Sequence, residues 1–271
     1  LAPEGRVHRE VTPPVFVVPA AAIDDARPGV DVRLDGPEGR HAVTVRRLAA
    51  GEPVRLVDGA GRYADATVAV VVDASTADLI VVAAGREPEP APRIVVVQAL
   101  PKGERGELAV EVLTEVGTDV IVPWAAERCV AVWRGEKAVR GRRRWVDTAH
   151  AAAKQARRAH FPVVEELATT VDVAARVASA SLALVLHEDA TDPIGDVALP
   201  AEGDVVLVVG PEGGISASER EALSAAGARE VRLGPSVLRT STAGVAAVSA
   251  VLARSPRWRV RVPAADARME P

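Results

Sequence analysis

The chain has 271 residues, a formal net charge of −4 and 48% apolar residues, with two Phe, one Tyr and four Trp. That length suggests one or two domains, and the composition a core of Val, Ala and Leu built from strands and small-residue helix packing. One cysteine, Cys129, excludes an internal disulfide framework and a cysteine zinc site. This fits a reducing cytosol, so a cytoplasmic protein without metal is expected. No apolar stretch reaches 18 residues, so no transmembrane helix is expected. Leu1–Glu10 is polar and charged and does not read as a signal peptide; Leu1 is not a natural start.

Residues 12–84 read as all-β. Val15–Val18 and Val30–Leu34 are short strands, with a short helix expected over His41–Leu48. Pro53–Val57, Asp58-Gly59 and Arg62–Val72 give a hairpin signal. Leu79–Ala83 adds a strand after a turn over Asp73–Asp78. The segment 85–92 is Pro-rich and reads as a linker. Beyond it, strands (Ile94–Ala99, Val120–Pro123, Leu182–Leu186, Val205–Val209, Val231–Leu233) alternate with helices (Gly106–Val116, Arg142–Ala159, Ser216–Ala226, Thr242–Ala253). Ser216 with Glu219 three residues on is a capping box. Such alternation implies a mostly parallel sheet. The fold class is therefore α/β: a small N-terminal β-barrel over 1–84, a linker over 85–92, an α/β domain over 93–255 and a polar tail over 256–271.

Charge is unevenly placed. Residues 134–160 hold nine Lys or Arg against Glu136 and Asp147, a local charge of +7. In an otherwise acidic chain this suggests one localised contact with a polyanion. Trp145 and the alanines at helical spacing point inward. No Gly-x-Gly-x-x-Gly follows the first strand of the α/β domain, and no phosphate-binding Gly-x4-Gly-Lys-Ser/Thr occurs anywhere.

Two glycine-rich turns say most about function. Gly210-Pro211-Glu212-Gly213-Gly214 directly follows Val205–Val209. Leu233-Gly234-Pro235-Ser236-Val237-Leu238-Arg239-Thr240-Ser241-Thr242-Ala243-Gly244 runs into a helix. A strand ending in glycine-rich backbone is a usual ligand site in an α/β sheet, and glycine allows close main-chain approach. The pair, in this order, resembles the C-terminal domain of the SPOUT methyltransferases. Within them it resembles the family that methylates N3 of a uridine in small-subunit (16S) ribosomal RNA. The resemblance runs from about Val15 to Val251.

That resemblance implies a trefoil-knotted α/β domain, a PUA-like RNA-binding barrel in front of it, and a homodimer packed through the knot. His41, Arg47, Gly51 and Asp58-Gly59 match the barrel's pattern. S-adenosylmethionine would be held by the main chain of Leu186, Gly210, Leu233 and Leu238. Around it would lie His187, Pro211, Glu212, Gly213, Gly214, Gly234, Thr240, Thr242 and Ala243. Arg239 is the expected catalytic residue: an arginine presents a rigid fork of donors and would stabilise charge developing on the uracil oxygens. RNA contacts are expected from Arg47, Lys102, Arg105, Arg142, Arg143, Arg144, Gln155 and Arg158. Glu127-Arg128-Cys129 also matches and is expected to be structural. The family motif often carries Arg at position 236 and Glu at 241, where this chain has serines. A ribose 2′-O-methyltransferase of the same superfamily, and a non-catalytic RNA clamp in ribosome assembly, remain alternatives.

Overall fold

The computed structural model describes residues 13–259. The readings of Leu1–Glu10 and of the tail past residue 259 lie outside these. The chain divides into two compact units, one of residues up to Glu89 with Ala153–Phe161, the other of Pro90–Ala152 and residues from Pro162 onward. Among the described residues no helix is long and apolar enough to cross a membrane.

Unit 1 is a five-stranded sheet of β1 (Val15–Val17), β2 (Asp31–Leu34), β3 (Pro53–Val57), β4 (Arg62–Asp73) and β5 (Thr76–Arg86), in the order β1-β3-β4-β5-β2. Only β1 and β3 run parallel. Period-2 alternation places Phe16, Val32, Leu34, Leu56, Leu79 and Val81 on the buried side. Register shifts in the β4–β5 ladder at three places bend the long strands. The turn between β4 and β5 is only Ala74-Ser75. The Asp73 carboxylate accepts from the Ser75 N–H (2.7 Å) and hydroxyl (3.0 Å), closing a hairpin tighter than the turn over Asp73–Asp78 expected from sequence. At its other end β5 continues to Arg86, into the expected linker, because Arg62 and Arg86 pair across the ladder. The expected helix over His41–Leu48 begins earlier, at α2 (Gly36–Arg40), and ends in a π-helical turn over His41–Val45, while a separate α1 (Ala20–Ile23) lies between β1 and β2.

Unit 2 is a six-stranded, all-parallel sheet. Its strands are β6 (Arg93–Ala99), β7 (Val120–Trp124), β8 (Val163–Val164), β9 (Leu182–Leu186), β10 (Asp204–Val209) and β11 (Arg229–Val231), in the order β11-β9-β10-β6-β7-β8. Central strands such as Ile94–Val97 and Val205–Val208 are apolar at every position, as strands covered on both faces require. Ile94, Val96 and Leu207 pack with α3 (Arg105–Glu115), α4 (Glu136–Gln155) and α7 (Thr240–Arg254). Val95, Val97 and Val206 pack with α5 (Thr170–Ser179) and α6 (Ala217–Ala225). Trp145 is 1% exposed, in the first of these clusters. The Ser216–Glu219 capping box is present. β8 and α5 are absent from the sequence reading, although Thr169 and Asp172 form a capping box at the start of α5, a Thr-x-x-Asp signal of the same kind.

The first residues of the expected polar tail are anchored. Arg257 donates to both oxygens of Asp119 (2.6 and 3.1 Å) and to the carbonyls of Pro92 and Gly117. Asp119 also accepts from the Ile94 N–H at 2.8 Å. Side-chain exposure of the pair is 16% and 7%, so removing one partner leaves a buried charge. Arg257→Ala is expected to cost about 3–5 kcal/mol, read from the urea midpoint of unfolding. A loss within the roughly 0–1 kcal/mol of a surface pair would show that this anchor does not hold the sheet.

Two arginine-paired carboxylates of the unit are held in their charged form. Hydrogen bonds from Arg93 hold the Asp204 carboxyl below its ordinary range, and those from Arg220 do the same for Glu230. A depressed folded pKa means both groups stabilise the fold above the unfolded value. That stability begins to fall as pH drops toward about 4, the unfolded carboxylate range, and is lost through the lower folded values. Arg93→Gln with Arg220→Gln is expected to flatten the slope of stability against pH below about pH 4, measured by thermal melts in acid. An unchanged slope would remove these pairs from the acid response.

Candidate active site

The site is built where β9 and β10 end and the chain leaves β11. At Gly210 a Cβ would lie 2.7 Å from Cγ1 of Ile215, so only glycine lets the turn fold back on itself. Gly214 has φ +73°, a conformation that favours glycine, and its N–H donates to the Pro211 carbonyl at 2.9 Å. Three side chains hold this turn. Arg128 donates to the Gly213 carbonyl at 3.2 Å. Glu212 accepts from the Lys102 N–H at 3.1 Å, with Arg105 4.0 Å away. Glu219 accepts from the Ser216 N–H at 3.1 Å.

The second turn leaves the sheet at Arg232, one residue earlier than the sequence pattern suggests. The Arg232 N–H donates instead to the Asp192 carbonyl at 2.8 Å, and the His187 N–H takes the Val231 carbonyl at 3.0 Å. The ring of His187 accepts at Nδ1 from the Asp189 N–H at 3.2 Å. Arg239 is the N-cap of α7. Its carbonyl accepts from the N–H groups of Thr242 and Ala243, both at 2.9 Å. Its side chain is exposed, and among the described residues no carboxylate pairs with it. Behind it, buried Gln98 donates to the carbonyls of Ala99 and Thr240 at 3.1 and 3.4 Å.

These segments enclose a cavity of about 250 Å³. Of the residues expected from sequence, it is lined by Leu186, His187, Gly210, Pro211, Glu212, Gly214, Leu233, Gly234, Leu238, Arg239, Thr240 and Ala243. Gly213 and Thr242 are not on its wall. Gly213 is packed on Arg128, whose Cβ would sit 3.0 Å from an added Cβ, and the Thr242 hydroxyl turns back to the Arg239 carbonyl at 3.2 Å. The wall also takes in Glu188, Val209, Ile215, Arg232, Ser236 and Val237. Each of these is next to or between expected residues, and adjacency was the only available signal. Arg105, expected at an RNA rim, lines this cavity.

The expected RNA-binding residues do not form one set. Arg142 is tied into packing, donating to the carbonyls of Val164 and Glu165 at 2.9 and 3.0 Å, so it is no part of an open basic face. Arg143 and Arg144 are exposed, and Arg144 stands 3.4 Å from Glu107. Lys102 and Gln155 are exposed, and Arg158 is partly buried. Gln155 and Arg158 fall within unit 1, as does exposed Arg47, whose φ of +57° is uncommon for a residue with a side chain.

A parallel sheet with a glycine-lined cavity at the carboxyl ends of its strands, beside an unpaired arginine, defines a ligand-binding α/β domain. Residues 87–252 match the family model of an RNA methyltransferase domain, and residues 34–82 that of an RNA methyltransferase PUA domain. The chain is 47% identical over 231 residues to ribosomal RNA small subunit methyltransferase E of Mycobacterium tuberculosis, covering 83% of this chain and 87% of that protein. The protein of the same name from Bacillus subtilis is 27% identical over 226 residues, covering 80% and 88%. A crystal structure of ribosomal RNA small subunit methyltransferase E from Neisseria gonorrhoeae bound to S-adenosyl methionine is similar at a TM-score of 0.77 and 26% identity, over 90% of this chain and 98% of that one. The chain is an RNA methyltransferase and belongs to the ribosomal RNA small subunit methyltransferase E family.

Proposed function

We propose that this protein uses S-adenosylmethionine to methylate N3 of a uridine in 16S ribosomal RNA of the small subunit, in the cytoplasm and as a homodimer. The observation that carries this reading is Arg239, a cation without a carboxylate partner on the wall of a main-chain cavity. The lining suits the cofactor. Leu186, Leu233, Leu238 and Ile215 give apolar walls for an adenine, and an added Cβ at Gly234 would meet nothing within 4 Å. Exposed Leu108 and Val237, 45% and 78% accessible, support a second copy packing against this end of unit 2. The trefoil knot implied by the resemblance belongs to the same proposal, as does RNA binding by the PUA-like unit.

Bound here, S-adenosylmethionine supplies an electrophilic methyl group on a sulfonium centre. The chain supplies position and charge. The main chain of the two turns fixes the ligand without side-chain rearrangement, which is where alignment of reactants gains most. Arg239 donates to a uracil oxygen and stabilises the negative charge left there when N3 gives up its proton to solvent. Arg105, near Glu212, adds a second cation on the same wall. Direct displacement of this kind needs no metal.

Gly234→Val is expected to fold with an unchanged melting temperature yet lose S-adenosylmethionine binding, because the new side chain occupies the cavity wall without displacing protein atoms. Calorimetry showing wild-type affinity would remove the second turn from the pocket. Arg239→Ala is expected to bind the cofactor normally and lose methyl transfer by about 10²-fold or more. Arg239→Lys should recover only part, since it lacks the planar fork. The assay is transfer to small ribosomal subunits lacking the modification, with the product located by a reverse-transcription stop. Near-normal turnover by Arg239→Ala, or a methyl on a ribose oxygen, would overturn the mechanism.

A further inference from the structure

A second cavity lies in unit 2, with a volume of about 590 Å³, within the range of small-ligand sites. It shares one segment with the first: Arg105 lines the methyl-transfer cavity, while Pro101, Gly103 and Gly106 line the second. The two cavities thus border the same loop and helix start.

Two tryptophans form the inner wall, and both are seated on glycine. An added Cβ at Gly106 would lie 2.9 Å from Nε1 of Trp145, and one at Gly141 would lie 2.5 Å from Cε2 of Trp133. Glycine inside a helix such as α4 costs roughly 1 kcal/mol against alanine, so the room for Trp133 is a specific feature. The two rings meet edge to face, 5.1 Å apart at 71°. Trp145 is buried, whereas Trp133 is only partly covered and borders the cavity. Trp133 is therefore the aromatic surface available to a ligand.

The rim is cationic. Lys137 has no carboxylate partner among the described residues and is exposed. Arg140 and Arg143 stand 2.9 and 4.0 Å from Glu136 and Asp147, with side chains 65% and 83% exposed. Exposed pairs of this kind are worth about 0–1 kcal/mol, so a phosphate displaces the carboxylates at little cost. An aromatic face beside several such cations is the chemistry that holds an unpaired nucleotide: the base stacks and the phosphate is neutralised. Neither feature alone selects RNA; their place beside the same 101–106 segment that reaches the methyl-transfer cavity does.

We propose that this cavity is a second nucleotide subsite, in which an unpaired base close to the target uridine stacks on Trp133 while Lys137 and Arg140 take its phosphate. This rests on the RNA methyltransferase reading above.

The test uses the full chain, with small ribosomal subunits lacking the methyl group as probe. In Trp133→Ala, KM for the subunits is expected to rise about tenfold or more, with kcat, S-adenosylmethionine affinity and molar mass in solution unchanged. Trp133→Phe should recover most of the loss, since it keeps an aromatic face. Lys137→Ala with Arg140→Ala should raise KM and flatten its dependence on salt. A wild-type KM in Trp133→Ala would overturn the subsite. So would a molar mass that changes with KM, which would make this face, with its exposed Val132 and Val139, a contact between copies. Equal losses in the Phe and Ala variants together with weaker cofactor binding would reduce Trp133 to packing. Should Trp133→Ala fail to fold, the double variant decides alone, because both its side chains are exposed: an unchanged KM and salt slope overturn the proposal. Wild-type protein that transfers no methyl to N3 fails the earlier reading; wild-type transfer with unaffected variants fails only this one.

Discussion

Glu219, 5% exposed, uses both carboxylate oxygens on donors from three separate segments. It accepts from the N–H of Glu127 at 2.8 Å, the hydroxyl of Thr170 at 3.0 Å and the N–H of Ser216 at 3.1 Å. Leaving a buried carboxylate unpaired is costly, so these partners are fixed together. The consequence reaches the cavity. Ser216 starts α6 immediately after the Gly210–Gly214 turn, and Glu127 precedes Arg128, which holds that turn by the Gly213 carbonyl. The glycines make the turn possible, but glycine alone would leave it loose. Charged groups bonded to backbone give it one shape.

That arrangement explains how a chain with net charge −4 can serve a cationic donor and an anionic substrate. Two carboxylates near the cavity are committed to the scaffold, Glu219 to α6 and its neighbours and Glu212 to the Lys102 N–H, while Glu188 on the wall is exposed. Arg239 has no such commitment, and its backbone is fixed by capping α7. The cap fixes where its side chain starts, and among the described residues no carboxylate holds the exposed guanidinium. Four further cations of unit 2, Lys137, Arg140, Arg143 and Arg144, line the second cavity, on the other side of the 101–106 segment.

What was legible in the sequence was local. The two glycine turns, the apolar strands before them and the Ser216–Glu219 box are each written in a few consecutive residues, and the cavity contains most of what they imply. What failed depended on partners distant in sequence. Arg142 reads as one of three equivalent arginines, yet the carbonyls at 164 and 165 claim it. Arg257 reads as tail because nothing near it reveals Asp119. Gly213 looks like its neighbours in the motif, but the side chain of Arg128 takes its place on the outside of the turn. Trp133 lies in no strand or helix, and only the glycine beneath it, one helical turn into α4, shows why it is held where it is. The capping box of α5 was legible and went unread.

Positions 236 and 241 show how packing interprets a departure from pattern. Ser236 is exposed on the cavity wall, while Ser241 is 4% exposed in the first turn of α7. The two serines therefore do different work. An acid at 241 would be a buried carboxylate and would require a cation to pair with it; the nearest in sequence are position 236 and Arg239 itself. With serine at both places neither demand exists, and Arg239 is left without an internal claimant. With serine at 241, the buried first turn of α7 holds a small hydroxyl and places no carboxylate beside Arg239.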